Sequence, residues 1–255
     1  MITYLVAAAC AVGIVFLAAL MTRKAKGVTD DPAPDGPTTG FTGAMLSALF
    51  LLAFAIAIVV PWTTNDAARL NTYTESQAVA EAAWAATDLP DAEAAQVQEG
   101  LRGYVEFVRG TEWRLMADGR LSQEGWTRLE QIRRDVSAWP AKTTDDKDTQ
   151  AGVLDEIGEI TSARRQRAMD AQAVPPSGLL VVTGVSGLIV LLFPFLAGAR
   201  PRAMTLVPLG LMAALLGIGM YLTLDISHAF AGSLAVRPDA FTGVLEELQR
   251  VSGSG

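Results

Sequence analysis

The stretch that decides the fold is GAMLSALFLLAFAIAIVVP, residues 43–61. From Gly43 to Val60 it carries no charge, and about 18 consecutive apolar residues are enough to cross a hydrocarbon core as a helix. Immediately after Pro61-Trp62 the composition turns to Thr63-Thr64-Asn65-Asp66, and a long polar segment begins. The chain is therefore read outward from one membrane crossing and the water-soluble segment attached to it.

Upstream, residues 2–21 form a second apolar run, followed by Arg23, Lys24 and Lys26. A signal peptide places its basic residues before the apolar core. Here they come after it, so the run reads as an uncleaved spanning helix. Residues 28–40 (VTDDPAPDGPTTG) read as a non-helical linker rich in Pro, Gly and Asp. Downstream, residues 178–199 and 203–224 are two further apolar runs, separated by Arg200-Pro201-Arg202 and carrying Pro194 and Pro208. Gly184, Gly187, Gly210, Gly217 and Gly219 would let these helices approach closely in lipid.

The totals agree with this reading. Of the 255 residues, 51% are hydrophobic and only 18% charged, against about 25% charged in an average soluble domain. The net charge of -7 argues against a nucleic-acid partner. The single cysteine, Cys10, excludes a disulfide framework within the chain, and the single histidine, His228, excludes a multi-histidine metal centre. No nucleophile–base pair and no glycine-rich phosphate loop are evident, so the chain is read as a non-enzyme without cofactor or metal.

Residues 63–174 read as helical throughout. Val97, Leu101, Tyr104, Val105 and Val108 recur at helical steps. Ser122 is placed to cap a helix bearing Trp126, Leu129, Ile132, Val136 and Trp139, which stops before Pro140. Residues 141–149 read as a mobile acidic turn, after which Val153, Ile157, Ile160 and Arg164 line a third helix. With an extension of the second span over residues 73–87, this predicts a four-helix bundle. Residues 226–251 read as a C-terminal turn at the membrane surface and a short amphipathic helix opened by Pro238, and residues 252–255 as a flexible linker. The fold class is thus all-α: a polytopic membrane protein with four transmembrane helices and a helical-bundle insertion between spans two and three. Its segments are 1–62, 63–174, 175–225, 226–251 and 252–255.

Arg23, Lys24, Lys26, Arg200 and Arg202 lie in the two short connections, which the positive-inside rule assigns to the cytoplasm. That orientation puts both termini and the helical insertion outside, in a multi-pass protein of the cell membrane.

Four short stretches carry a resemblance to the bacterial bestrophin-like family. They are Leu51-Leu52-Ala53-Phe54 with Glu81-Ala82 downstream, then Thr111-Glu112-Trp113 with Gly119 and Ser122. Next come Ala163-Arg164-Arg165-Gln166-Arg167 with Pro175, and finally Leu224-Asp225 with Phe230, Gly232 and the tail through Val236 to Phe241. One departure is Ala229, where the family usually has proline. The resemblance implies similarity to bestrophins, which are pentameric chloride-permeable channels with four spans per subunit and a cytosolic helical part. The orientation drawn from this chain's own charges is the opposite one, and it is retained here.

Two groups of candidate site residues follow. Ser47, Phe50, Phe54 and Ile58 share one face of the second span. Around a symmetry axis they would form an apolar constriction with aromatic edges; ordinary helix packing or lipid contact is the more frequent role of such a face. Glu81, Glu112, Arg164, Arg165, Arg167 and Asp225 are expected near the membrane end of the bundle. They could build an anion-attracting vestibule or a structural ion-pair network, for example Glu112 with Arg164. His228 could serve as a pH sensor at the end of the fourth span, although a lone surface histidine is commonly inert.

Two functions are carried forward. One is a homo-oligomeric anion-permeable channel around the second span. The other is a membrane-anchored scaffold whose bundle docks another envelope component. Both have the lipid bilayer as a partner.

Overall fold

The computed structural model describes residues 2–24, 37–174, 177–197 and 203–253. Among them 87% are helical and none lies in a strand, which fixes the class as all-α. The helices are α1 (Ile2–Lys24), α2 (Pro37–Ala85), α3 (Asp91–Phe107), α4 (Trp113–Met116), α5 (Gln123–Ala138), α6 (Thr144–Gln172), α7 (Ser177–Leu196), α8 (Ala203–Asp225) and α9 (Asp239–Gly253). A π-helical turn, Val108–Glu112, joins α3 to α4.

Two compact units divide the chain: residues 1–62 with 174–227, and residues 63–173 with 228–255. In the first unit α1 runs against α8 and α7. Val15, Leu191, Phe195 and Ala213 form its small core. Glycines allow the close approaches: a Cβ on Gly217 would lie 2.8 Å from the Ala7 carbonyl oxygen, the kind of contact by which small residues let helices pack in lipid.

Among the described residues three helical segments are long and apolar enough to cross a membrane: Gly40–Asp88, Gly178–Leu196 and Leu206–Asp225. In α1 the apolar stretch identified among the described residues is Leu5–Leu17. The second span continues without a break through Pro61 to Ala85. Part of the expected linker is also helical, because α2 starts at Pro37, where a proline in the first turn forfeits no helical hydrogen bond. The rest of that linker, the Arg200-Pro201-Arg202 turn and Pro175-Pro176 lie outside the described residues.

The second unit is a bundle with a continuous apolar core. Val79, Ala82 and Ala83 from α2 meet Leu101 and Val105 from α3, Leu129 and Ile132 from α5, and Ile157 and Ile160 from α6. The second unit also takes in the C-terminal segment from His228 onward. Its helix, α9, buries Phe241, Val244 and Leu248 in the same core, because these residues recur at three- and four-residue steps and need an apolar partner. The Ser76 hydroxyl donates to the Ala240 carbonyl at 2.7 Å and ties α9 to α2.

Ser122 does cap α5, accepting from the Glu124 amide at 3.1 Å. The expected mobile turn over 141–149 is replaced by the start of α6 at Thr144. Thr143 and Asp146 form a reciprocal capping box there, and Asp145 and Asp146 in the first turn complement the helix dipole. Acidity that reads as loop in a one-dimensional scan is here a helix-start signal.

Candidate functional site

Along α6 the apolar stripe Val153, Ile157, Ile160 continues in the same register into Arg164 and Arg167, and both arginines are fully buried. Two buried guanidinium groups require carboxylates within reach. Glu75 comes from α2. Glu112 comes from the end of the π-helical turn, and both are fully buried.

The geometry is that of two forked pairs joined into one network. Arg164 donates through Nη1 and Nη2 to the two Glu112 oxygens at 2.6 and 2.5 Å. Arg167 donates through Nε and Nη2 to Glu75 at 2.6 and 2.9 Å, and Nη2 also reaches Glu112 Oε1 at 3.0 Å. The Tyr104 hydroxyl donates to Glu75 Oε1. The Ser122 amide donates to Glu112 Oε2 at 3.0 Å, and the Ser122 carbonyl accepts from Arg164 Nη2 at 2.9 Å.

Aromatic faces complete the enclosure. The Arg164 guanidinium carbon lies 4.8 Å from the Trp126 ring centroid, and that of Arg167 lies 5.5 Å from Phe241. Gly125 leaves the room that Arg164 occupies, since a Cβ there would fall 2.5 Å from its Cζ. The one buried side-chain polar atom without a hydrogen-bond partner among the described residues is Arg164 Nε.

The electrostatics follow from this packing. Burial alone would raise the Glu112 carboxyl, but its hydrogen bond from Arg164 and the charges of Arg167 and Arg164 outweigh it and hold its pKa below the ordinary value. Burial, reinforced by the Glu75 carboxylate, pushes the Tyr104 phenol up. For both arginines burial opposes the charged form, yet their carboxylates more than compensate and raise them. Two cations and two anions cancel, so the cluster presents no net charge and clamps α2, the π-helical turn and α6 together.

Of the six charged candidates, Glu112, Arg164 and Arg167 are brought together here. Glu81 and Arg165 are exposed on the bundle surface, and Asp225 is half-buried at the end of α8 in the other unit. Glu81 helps to raise the carboxyl of Glu156, after desolvation of Glu156 itself. His228 is exposed. The residues that sequence reasoning missed are Glu75, Ser122 as a network member, and Tyr104, which was read only as apolar. A hydroxyl on an apolar helix face was the available signal for Tyr104.

In the first unit Phe50 and Phe54 stack with centroids 5.5 Å apart. Phe50, 6% exposed, lies against Gly187, and Phe54 lies against Gly219, where a Cβ would meet its ring at 2.5 Å. Ser47 and Ile58 are half-buried. Among the described residues no group of His, Cys, Asp or Glu is arranged to hold a metal ion.

A family model described as a Bestrophin-like domain matches residues 6–241. No curated protein and no solved structure matches the chain.

Proposed function

The chain belongs to the bestrophin-like family, a membrane-protein family whose relatives are known as channels, and from that premise we propose that it is one subunit of a homo-oligomeric, anion-permeable pore formed around α2. The observation that carries the reading is α2 itself: one uninterrupted helix over Pro37–Ala85, with 11% of its apolar window buried within the chain, the same share as in α8 and half that in α7. A helix so little covered by its own chain is available to surround an axis.

Phe50 and Phe54 pack on Gly187 and Gly219 within one chain. The lumen is therefore assigned to the neighbouring line Ser47, Leu51, Ala55 and Ile58, of which Leu51 and Ala55 are exposed. No carboxylate lies on that line, so it offers no acidic ring of the kind that selects cations. In this proposal α1 is the fourth span, the short basic connections are cytoplasmic and the bundle is extracytoplasmic.

The reading is tested by chloride flux from liposomes containing the purified protein, compared with Ala55→Glu. Flux that the acidic substitution abolishes or turns cation-selective supports it; flux equal to empty liposomes removes it.

The scaffold reading draws on a separate observation. Arg164 and Arg167 are paired with Glu112 and Glu75 in a buried network, which reads as a brace for a rigid docking bundle in preference to an anion-attracting vestibule. Absence of flux together with stable association with an envelope protein would favour it.

A further inference from the structure

Within the second unit α3 and α5 approach closely at Gly100, where a Cβ would lie 2.8 Å from Ile132 Cγ1. Beside that contact the two helices leave an open cleft of about 300 Å³, with the buried side chains of Val97 and Ile132 as its floor. A narrower continuation shares Gln96, Val97 and Asp135 with it and runs on to Leu89, Val136 and Trp139. From Glu93 to Gly103 along α3 the furrow extends about 15 Å at about 1.5 Å per residue.

The rim is acidic. Glu99 and Asp135 line the cleft, and Glu93 and Asp135 line its continuation. Glu99 has Arg102 Nε at 3.9 Å, and Asp135 accepts from the Gln131 side-chain amide at 2.7 Å. Among the described residues Glu93 and Asp135 are paired with no cation. Arg128, the cation in the lining, is already held by Glu124 at 2.5 and 3.2 Å and lies over the Phe107 ring.

Three solvated carboxylates do not make a site. Here they edge an apolar trough, and low-dielectric walls bearing one sign of charge focus the field and concentrate cations between them. The floor then selects among cations. A hydrated metal ion gains nothing from Val97, Ile132 and Val136, whereas methylene groups leave water on contact with them. Trp139, beside Glu93 and Asp135, adds an aromatic wall of the kind that favours an alkylammonium. The volume stands at the bottom of the range for small-molecule clefts, about 300–1,000 Å³, which suits a thin flexible chain and not a folded partner.

We propose that the α3–α5 cleft binds a linear aliphatic polyamine, with its ammonium groups on Glu93, Asp135 and Glu99 and its methylenes along Val97 and Ile132. Each ammonium–carboxylate contact is a charge-assisted hydrogen bond. The site lies wholly within the second unit and does not depend on α2 lining a pore.

Isothermal titration of the intact protein in detergent with spermidine tests it, with magnesium ion as the compact competitor. Glu93→Gln and Asp135→Asn alter side chains on the cleft rim, away from the Arg164–Arg167 network, and Glu130→Gln, exposed on α5 outside the cleft, is the control. Saturable spermidine binding that each rim variant weakens by about tenfold or more, and that Glu130→Gln leaves unchanged, supports the proposal. No saturable heat, equal affinity in wild type and rim variants, or displacement of spermidine by magnesium at equal charge concentration overturns it.

Discussion

Arg167 on α6 and Glu75 on α2, 92 residues apart in sequence, form a forked pair with Nε–Oε2 at 2.6 Å and Nη2–Oε1 at 2.9 Å, and neither side chain is exposed. The Tyr104 hydroxyl and Glu112 join them, so the continuation of the second apolar helix is bolted to the bundle by charge as well as by apolar packing.

Removing one partner of a buried pair strands the other, at about 3–5 kcal/mol. Arg167→Met and Glu75→Met are each expected to destabilise the bundle by that order. The double variant is expected to recover part of the loss, because no charge is then left uncompensated. Denaturant unfolding of the four proteins in detergent measures it, and single and double variants of equal stability would contradict the network.

Glu112 gives the acid dependence. Its folded carboxyl titrates below its ordinary value, so the folded state holds its proton less tightly than the unfolded chain does. Its stabilisation is fully present above about pH 4.3 and is lost as pH falls through the lowered folded value. The thermal midpoint is expected to fall below that pH, and less steeply in Glu112→Gln. Tyr104 acts at the other end: its pKa is raised, so its contribution is present below about pH 10 and lost above it. Tyr104→Phe is expected to flatten the alkaline limb.

Gly125→Ala places a methyl group 2.5 Å from the Arg164 guanidinium carbon. Overpacking of this kind costs about 1–3 kcal/mol. Gly152→Ala, with nothing within 4 Å of its Cβ position, is the control expected to leave the unfolding midpoint unchanged or slightly raised.

The start of α6 is an independent check. Thr143→Ala removes the acceptor for the Asp146 amide, now at 3.0 Å, and is expected to cost about 1 kcal/mol. Amide hydrogen exchange over residues 144–148 should accelerate.

Much of this arrangement was legible from spacing alone. The helices on either side of Ser122, the apolar stripe through Ile157 and Ile160 and the apolar runs are local patterns, and local patterns survive reading in one dimension. The partners of Arg164 and Arg167 were less legible, because burial of a charge depends on what lies 52 or 92 residues away. Glu112 and Arg164 could be offered as a pair; Glu75 could not be told from the exposed Glu81 six residues later. The π-helical turn that brings Glu112 inward has no sequence signature beyond Gly110. The place of α9 in the bundle core likewise follows from where its apolar face finds a partner, not from its amphipathicity.

Chloride efflux from liposomes reconstituted with the intact protein tests the pore around α2 most directly. The account predicts anion-selective efflux that Ala55→Glu abolishes or makes cation-selective, while Arg165→Ala, on the bundle surface, leaves it largely intact. Efflux no faster than from protein-free liposomes, with the protein shown to be folded and inserted, would contradict it.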